Sequence, residues 1–259
     1  MRRAAVADKL KVGVFKFTGC AGCQMELLHL EEELPQIANA VDITYWMMVK
    51  RENEWGPWDM AFVEGSVSTP REIKEIKEVR ARSKVLVALG DCAVGGCLPT
   101  IRNWIPQMEA ERKVYEDPSV ILSTKIHGLD EYVPVDIYLR GCPPNREMFL
   151  DTVKSAMLGV RPALRRHCVC VECKLSENSC LITEKHRPCM GPVTNAGCGA
   201  LCPSLDRECE GCYGPMSNPN PAALADVLRE LGLSDQEVAR RFRKYAGTSP
   251  EFRGEADKA

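Results

Sequence analysis

The stretch Lys11-Val12-Gly13-Val14-Phe15-Lys16-Phe17-Thr18-Gly19-Cys20-Ala21-Gly22-Cys23 combines the two signals that decide how the chain folds. Residues 11–17 form an apolar-rich run of strand length, and the Gly-rich turn after it delivers a CxxC pair. The arrangement recurs: the run at 84–89 (KVLVAL) enters Gly90-Asp91-Cys92, and the run at 135–139 (VDIYL) enters Gly141-Cys142-Pro143-Pro144. Further strands are predicted at 41–48 and 59–63, the second leading into Glu64-Gly65-Ser66. Helical patterns lie between them. Gln24 to Leu34 carries Met25, Leu28 and Leu34 at helical spacing; Thr69 caps a second helix, with Pro70 at its first position, Glu72 completing a capping box, and Ile73, Ile76 and Val79 or Arg80 on one face. Another is signalled at Asn145–Leu158. Strands alternating with helices predict an α/β fold whose parallel sheet is covered on both faces.

In such sheets ligands collect at the carboxyl ends of the strands, so Cys20, Cys23, Cys92 and Cys142 are expected to converge at one edge, beside Glu64. Gly19, Gly22, Gly90 and Gly141 flank them, as suits backbone that approaches a bulky inorganic core and donates N–H groups to its sulfurs. Buried packing cysteines and a four-cysteine zinc site are the alternatives, and position at strand ends favours iron–sulfur. Cys97, five residues past Cys92 in a Gly-rich loop, reads as a free thiol. Glu64 is expected to hydrogen-bond loop N–H groups rather than to move protons.

The second half has a different design. Nine of the 14 cysteines fall within residues 168–212, a segment with no Phe or Trp and no Tyr before Cys212, and with Pro or Gly at seven positions. Such a segment depends on bound metal for its folding free energy. Its spacing is Cys170-x2-Cys173-x6-Cys180-x8-Cys189, then Cys198-x3-Cys202-x6-Cys209-x2-Cys212, enough for two four-thiolate sites. A zinc ribbon from the pairs Cys170/Cys173 and Cys209/Cys212 leaves four cysteines unexplained. Cys168 is surplus, and only the CxxC spacing favours Cys170 over it. His167 and His186 read as solvated. Pro221–Leu231 and Ser234–Tyr245 are predicted helices, the second with a Ser234/Glu237 capping box, and Thr248–Ala259 is expected to be a loose tail.

With 34 basic against 36 acidic residues, the formal charge of -2 gives no electrostatic reason to expect a nucleic-acid or acidic-membrane partner. No run approaches the roughly 18 apolar residues of a membrane span. Met1-Arg2-Arg3 is followed by charged residues without an apolar h-region, so a cytoplasmic protein is expected, and its thiols read as metal ligands rather than disulfides.

These residues resemble the small, electron-transfer subunit of cytoplasmic nickel–iron hydrogenases, of the methyl-viologen-reducing and sulfhydrogenase-delta type, from about Lys11 to Pro215. The resemblance is carried by Cys20-Ala21-Gly22-Cys23, Glu64-Gly65-Ser66, Gly90-Asp91-Cys92 and Gly141-Cys142-Pro143-Pro144 in the first half. In the second it is carried by Cys189-Met190-Gly191-Pro192, Gly197-Cys198-Gly199-Ala200, Cys202-Pro203 and Cys209-Glu210-Gly211-Cys212. The first half alone also resembles the cluster-bearing subunit of respiratory NADH dehydrogenase, which lacks the second.

The resemblance implies a flavodoxin-like domain over 1–160 and a small cluster-binding domain over 161–259, an oxidoreductase chain with three [4Fe-4S] clusters. Cys20, Cys23, Cys92 and Cys142 would hold the proximal cluster, Cys198, Cys202, Cys209 and Cys212 the medial, and Cys170, Cys173, Cys180 and Cys189 the distal. Compared with periplasmic uptake enzymes, a Cys stands in place of the distal His ligand, and Cys202 supplies a fourth medial thiolate. The implied partners are a hydrogenase large subunit bearing the nickel site and an electron-transfer subunit with flavin or further clusters. A respiratory-type carrier and a zinc-stabilised scaffold are the rival functions. The segments Trp55–Trp58 and Pro99–Ile105 are expected at the large-subunit interface, with ordinary core as the alternative.

Overall fold

The computed structural model describes residues 9–258 except 31, 32, 34, 36, 38 and 40; Leu34 and the Met1-Arg2-Arg3 start lie outside the described residues. Five strands, β1 (Leu10–Lys16), β2 (Val41–Trp46), β3 (Trp58–Glu64), β4 (Ser83–Leu89) and β5 (Ile137–Leu139), pair in parallel in the order β2-β1-β3-β4-β5. This is the flavodoxin-like doubly wound order, with its switch point between β1 and β3. The first helix is Gly22–Leu28, the capped helix is Pro70–Arg82, and Arg146–Met157 starts from Asn145, whose side chain accepts from the Glu147 N–H.

Alternation along the strands feeds two cores. Val12, Val14, Met60, Phe62, Val87 and Leu89 pack with Leu27, Phe149 and Val153 on one face, while Phe15, Ala61, Val63, Leu86 and Ala88 pack with Ile76 and Val79 on the other. Strands buried on both faces account for the near-continuous apolar runs that identified them.

Two strands are shorter than predicted, for local reasons. After β2 the Val49 and Lys50 N–H groups both turn back to the Trp46 carbonyl. Before β5 the Asp136 N–H still donates to the Leu86 carbonyl at 3.0 Å, but the Leu86 N–H goes to the Asp136 carboxylate at 2.7 Å, which also pairs with Arg80 at 2.5 Å, so a side chain stands in for the ladder's acceptor there. The capping box at Thr69 is half formed. Thr69 Oγ1 accepts from the Glu72 N–H, but the Glu72 carboxylate accepts from the N–H of Ser68 and from the hydroxyls of Thr18, Ser68 and Thr69. Glu72 thereby ties its helix to the loop after β1.

A third core lies in the second half. Val169, Leu181, Met190 and Val193 from the Cys-rich loops pack against Leu224, Leu228, Val238, Phe242 and Phe252. The predicted helices are present as Pro221–Glu230 and Asp235–Ala246, the latter with the full Ser234/Glu237 capping box. The loose tail is overturned: Pro250–Ala256 is a helix, Phe252 is buried and meets the Phe242 ring edge-on at 5.3 Å, and Arg243 Nε donates to the Ala256 carbonyl. An apolar anchor and a helix-starting Pro, too few to register as periodicity, carry this segment. Thr248 donates to the Gly95 carbonyl at 2.7 Å and Arg243 lies over the Trp104 ring, so the halves are fastened together. Among the described residues no helix is long and apolar enough to cross a membrane.

Phe252→Ala is expected to destabilise the chain by about 3 kcal/mol, the usual cost of emptying a buried aromatic site. A lowered denaturant midpoint checks it; a midpoint unchanged from wild type would restore the loose-tail reading.

Candidate metal centres

Cys20, Cys23, Cys92 and Cys142, four of the five first-half cysteines, lie on loops that meet where the strand ends place them. Cys20 and Cys23 follow β1, and Cys92 and Cys142 follow β4 and β5, with the loops held together by Gly90 N–H to the Leu139 carbonyl at 2.8 Å and Asp91 N–H to the Gly141 carbonyl at 2.9 Å. On the other side Thr18 and Ser66 exchange backbone bonds. The approach is close enough to require glycine. A Cβ on Gly90, whose φ is +82°, would stand 2.3 Å from Cys23 Sγ. One on Gly65, at φ +96°, would stand 2.6 Å from the Phe17 backbone.

Burial pushes the Cys23 thiol far up, and the charges of Glu64, Cys92, Cys142 and Cys20 add to it. Glu64 is buried, yet its carboxylate takes the Gln24 amide at 2.8 Å rather than loop N–H groups. Gln24 in turn accepts from the Trp46 indole at 2.7 Å. The expectation for Glu64 is therefore corrected in its partner: Gln24, on the first helix, supplies the polar contact. Asp91, fully buried, has both carboxylate oxygens without a hydrogen-bond partner, and desolvation pushes it up to about 7 against the pull of Arg140 at 4.0 Å.

In the second half the helix Val169–Leu175 carries Cys170 and Cys173, and Cys180 and Cys189 complete a group around it. Burial and the neighbouring Cys168 and Cys189 push Cys170 up to about 12, and Cys173 is raised by burial with contributions from Cys189 and Cys180. A Cβ on Gly191 would touch Cys189 Sγ at 3.4 Å and Cys170 Sγ at 3.5 Å, so glycine again lines the thiols. Cys198, Cys202 and Cys212 form the next group: burial raises Cys212 to about 12, followed by the charges of Asp91, Cys198, Cys142 and Cys202.

Backbone and ion pairs hold these loops in register. The Met190 N–H bonds the Cys209 carbonyl at 3.0 Å, which sets Cys189 beside Cys209; a hydrogen bond from Cys209 pulls Cys189 down to about 6. Glu208 and Glu210, either side of Cys209, pair with Arg241 at 2.9 Å and Lys244 at 2.7 Å on the Asp235–Ala246 helix. The Glu172 carboxylate accepts the Gly197 N–H at 3.1 Å and pairs with Arg165, joining the Cys170/Cys173 helix to the Cys198 loop. Asn178 donates to Ser204 at 2.9 Å, joining the Cys180 loop to the Cys202 helix.

Cys142 of the first group acts on Cys212 of the second, and Cys209 contacts Cys189 of the third. Cys97, read from sequence as a free thiol, is buried and acts on Cys92 and Cys142, and the half-buried Cys168 lies against Cys170. His167 and His186 are exposed, the first hydrogen-bonded at 3.1 Å to the Cys168 carbonyl. Trp58 is overturned as an interface residue. It is buried at the amino end of β3, opposite the thiols, in a ring cluster with Phe15, Tyr45 and Trp55. Trp104 packs inside the chain on Arg243 and Asp257, while Ile101 beside it is exposed.

Among the described residues no three His, Cys, Asp or Glu side chains close on a single metal ion. The donor set is nonetheless suited to an iron–sulfur core: it is all thiol, arranged around glycine-lined cradles, and a cationic centre offsets the mutual repulsion of buried thiolates.

Residues 20–156 match the protein family described as NADH ubiquinone oxidoreductase, 20 Kd subunit. The delta subunit of sulfhydrogenase 2 from Pyrococcus furiosus is 37% identical over 92% of this chain and 99% of its own length. The chain belongs to this family, in its hydrogenase small-subunit branch. It is an oxidoreductase subunit. A vhu subunit of the F420-non-reducing hydrogenase of Methanocaldococcus jannaschii is 32% identical over 88% of this chain and 91% of its own. Among solved structures, a chain of an NAD+-reducing [NiFe]-hydrogenase in the H2-reduced state superposes with TM-score 0.57 and 27% identity, over 61% of this small subunit and 96% of that chain. A chain of the Ni-Fe-Se hydrogenase of Desulfomicrobium baculatum, at 17% identity and TM-score 0.55, shares the fold over 82% of this chain and 96% of its own.

Gly90→Ala is expected to displace the Cys23 thiol and lower the metal bound per chain, because a Cβ at positive φ is strained even before it meets the sulfur. Gly95→Ala, whose Cβ would meet nothing within 4 Å, is the matched control and should bind as wild type. Equal metal in both variants would contradict the first-half site.

Proposed function

We propose that this small subunit relays electrons through three [4Fe-4S] clusters, between the nickel–iron site of a partner large subunit and a cytoplasmic electron-acceptor module carrying flavin or further clusters. Cys20, Cys23, Cys92 and Cys142 hold the proximal cluster, Cys198, Cys202, Cys209 and Cys212 the medial, and Cys170, Cys173, Cys180 and Cys189 the distal. Residues 1–160 form the flavodoxin-like domain and 161–259 the cluster-binding domain.

The observation that carries this reading is the tying of successive thiol-bearing loops to one another, by the Met190 N–H on the Cys209 carbonyl at 3.0 Å and the Gly197 N–H on Glu172 at 3.1 Å, with the Cys142 charge felt at Cys212. A zinc scaffold has no use for such continuity, whereas a chain of one-electron carriers requires it. When bound, a [4Fe-4S] cluster supplies a reversible one-electron carrier. The protein's own part is to order the sites, exclude water from them and set the charge around each sulfur. Glu208 and Glu210 fix the loop on which the medial and distal groups meet, and Gln24 holds Glu64 at the proximal end. Four-thiolate coordination at every site lowers the potentials relative to a His-ligated cluster, which suits exchange with low-potential carriers. The sulfhydrogenase and F420-non-reducing hydrogenase names of the relatives support the hydrogenase assignment.

The test is metal analysis of the anaerobically purified complex. About twelve iron and twelve sulfide on this chain, with nickel on a companion, are expected for three cubane clusters. Two or three zinc with little sulfide would replace the relay by a structural zinc protein.

A further inference from the structure

Three residues far apart in sequence meet where the two halves of the chain join: Asp91, beside Cys92; Arg140, two residues before Cys142; and Gly214, two residues past Cys212. Backbone brings the first two together. The Gly90 N–H bonds the Leu139 carbonyl at 2.8 Å and the Asp91 N–H bonds the Gly141 carbonyl at 2.9 Å, so the Cys92 loop grips the chain on either side of Arg140. From the second half comes the loop of Cys209 and Cys212. It is closed by the Gly214 N–H on the Gly211 carbonyl at 3.0 Å and fixed by the Asn195 N–H on the Gly214 carbonyl at 2.9 Å.

The Arg140 guanidinium lies directly on Gly214. A Cβ at that position, where φ is +64°, would stand 2.5 Å from Arg140 Nη1 and 3.6 Å from Asp91 Oδ1, and would push the guanidinium off. Only 26% of the Arg140 side chain is exposed, on a cleft of about 950 Å³ between the halves. Among the described residues the acid within ion-pair reach of it is the buried Asp91, at 4.0 Å, and neither Asp91 oxygen has a hydrogen-bond partner. That spacing is too long for a hydrogen bond, so the guanidinium is not locked fork-to-fork on a carboxylate. Asp130 and Asp136, on the same cleft, have other partners: Asp130 accepts from the Tyr138 hydroxyl at 3.4 Å, and Asp136 pairs with Arg80.

A guanidinium keeps its charge at every pH a protein meets. Partial burial spares that charge full screening by water, so it stabilises negative charge added nearby. We infer that Arg140 sets potentials at the junction of the first two clusters: its fixed positive charge, seated on Gly214 between the loops of Cys92 and Cys142 and the loop of Cys209 and Cys212, raises the reduction potentials of the proximal and medial clusters. Each cluster gains one negative charge when it is reduced, and the charge around it is one of the levers by which a protein sets its potential. The inference rests on the proximal and medial clusters proposed above.

The experiment is a potentiometric titration of the complete hydrogenase complex, followed by electron paramagnetic resonance, with Arg140→Met and Arg140→Lys. Arg140→Met keeps much of the side chain's length and loses the charge. Its proximal and medial one-electron equilibria should shift about tenfold toward the oxidised form, a fall of about 59 mV, with the distal potential moving less and the iron content unchanged. Arg140→Lys keeps the charge and should stay close to wild type. The same fall is expected when Arg140→Met is made in an Asp91→Asn background, because the effect belongs to the guanidinium. Unchanged potentials in Arg140→Met overturn the inference, as do equal falls in the Met and Lys variants, which mark a loss of shape. Loss of iron from both variants also overturns it, because Arg140 would then serve only to fasten the halves. Absence of proximal and medial signals from the wild-type complex would instead strike the cluster reading itself.

Discussion

Thiolates repel one another, and burial raises the cost of each charge, so side-by-side placement of several buried thiols is the constraint on which this structure depends. Burial is the first cause of the upward push on Cys23, Cys170 and Cys212, and neighbouring cysteines add to it in all three. A fold that tolerates this must hold the sulfurs by rigid backbone rather than by their own attraction. The two halves of the chain meet the requirement in different ways.

In the first half the parallel sheet does the holding. Every strand of such a sheet points its carboxyl end the same way, so residues as far apart in sequence as Cys20 and Cys142 reach one edge without any local motif joining them. Glycines at Gly65 and Gly90 admit the close backbone passes that bulkier residues would block. The described residues of the second half form no sheet that could take this part. The Cys-rich loops borrow rigidity from three terminal helices, through the core around Phe242 and Phe252 and through the pairs Glu208–Arg241 and Glu210–Lys244. Such loops gain the rest of their folding free energy from metal.

The sheet was legible because its strands are buried on both faces and read as continuous apolar runs, and strand polarity put the loops of Cys20, Cys23, Cys92 and Cys142 at one edge. The helices at Asn145 and Ser234 were legible from their caps. What sequence hid was contact between distant side chains. Nothing local marks Cys97 as the neighbour of Cys92 and Cys142, Gln24 as the partner of Glu64, or Trp58 as a core ring rather than a surface one. The terminal helix was missed because one buried Phe252 sets its place, too little for a periodic signal. Spacing alone left Cys168 and Cys170 interchangeable, and the two remain in contact in the folded chain.

The serial arrangement of three iron–sulfur clusters is the central claim, and anomalous diffraction from crystals of the anaerobic complex, collected at the iron and zinc edges, tests it most directly. Three separate iron peaks are predicted along this chain, beside Cys92 and Cys142, beside Cys202 and Cys212, and beside Cys170 and Cys180. Zinc peaks at those places, or iron beside the first-half cysteines alone, would contradict the account.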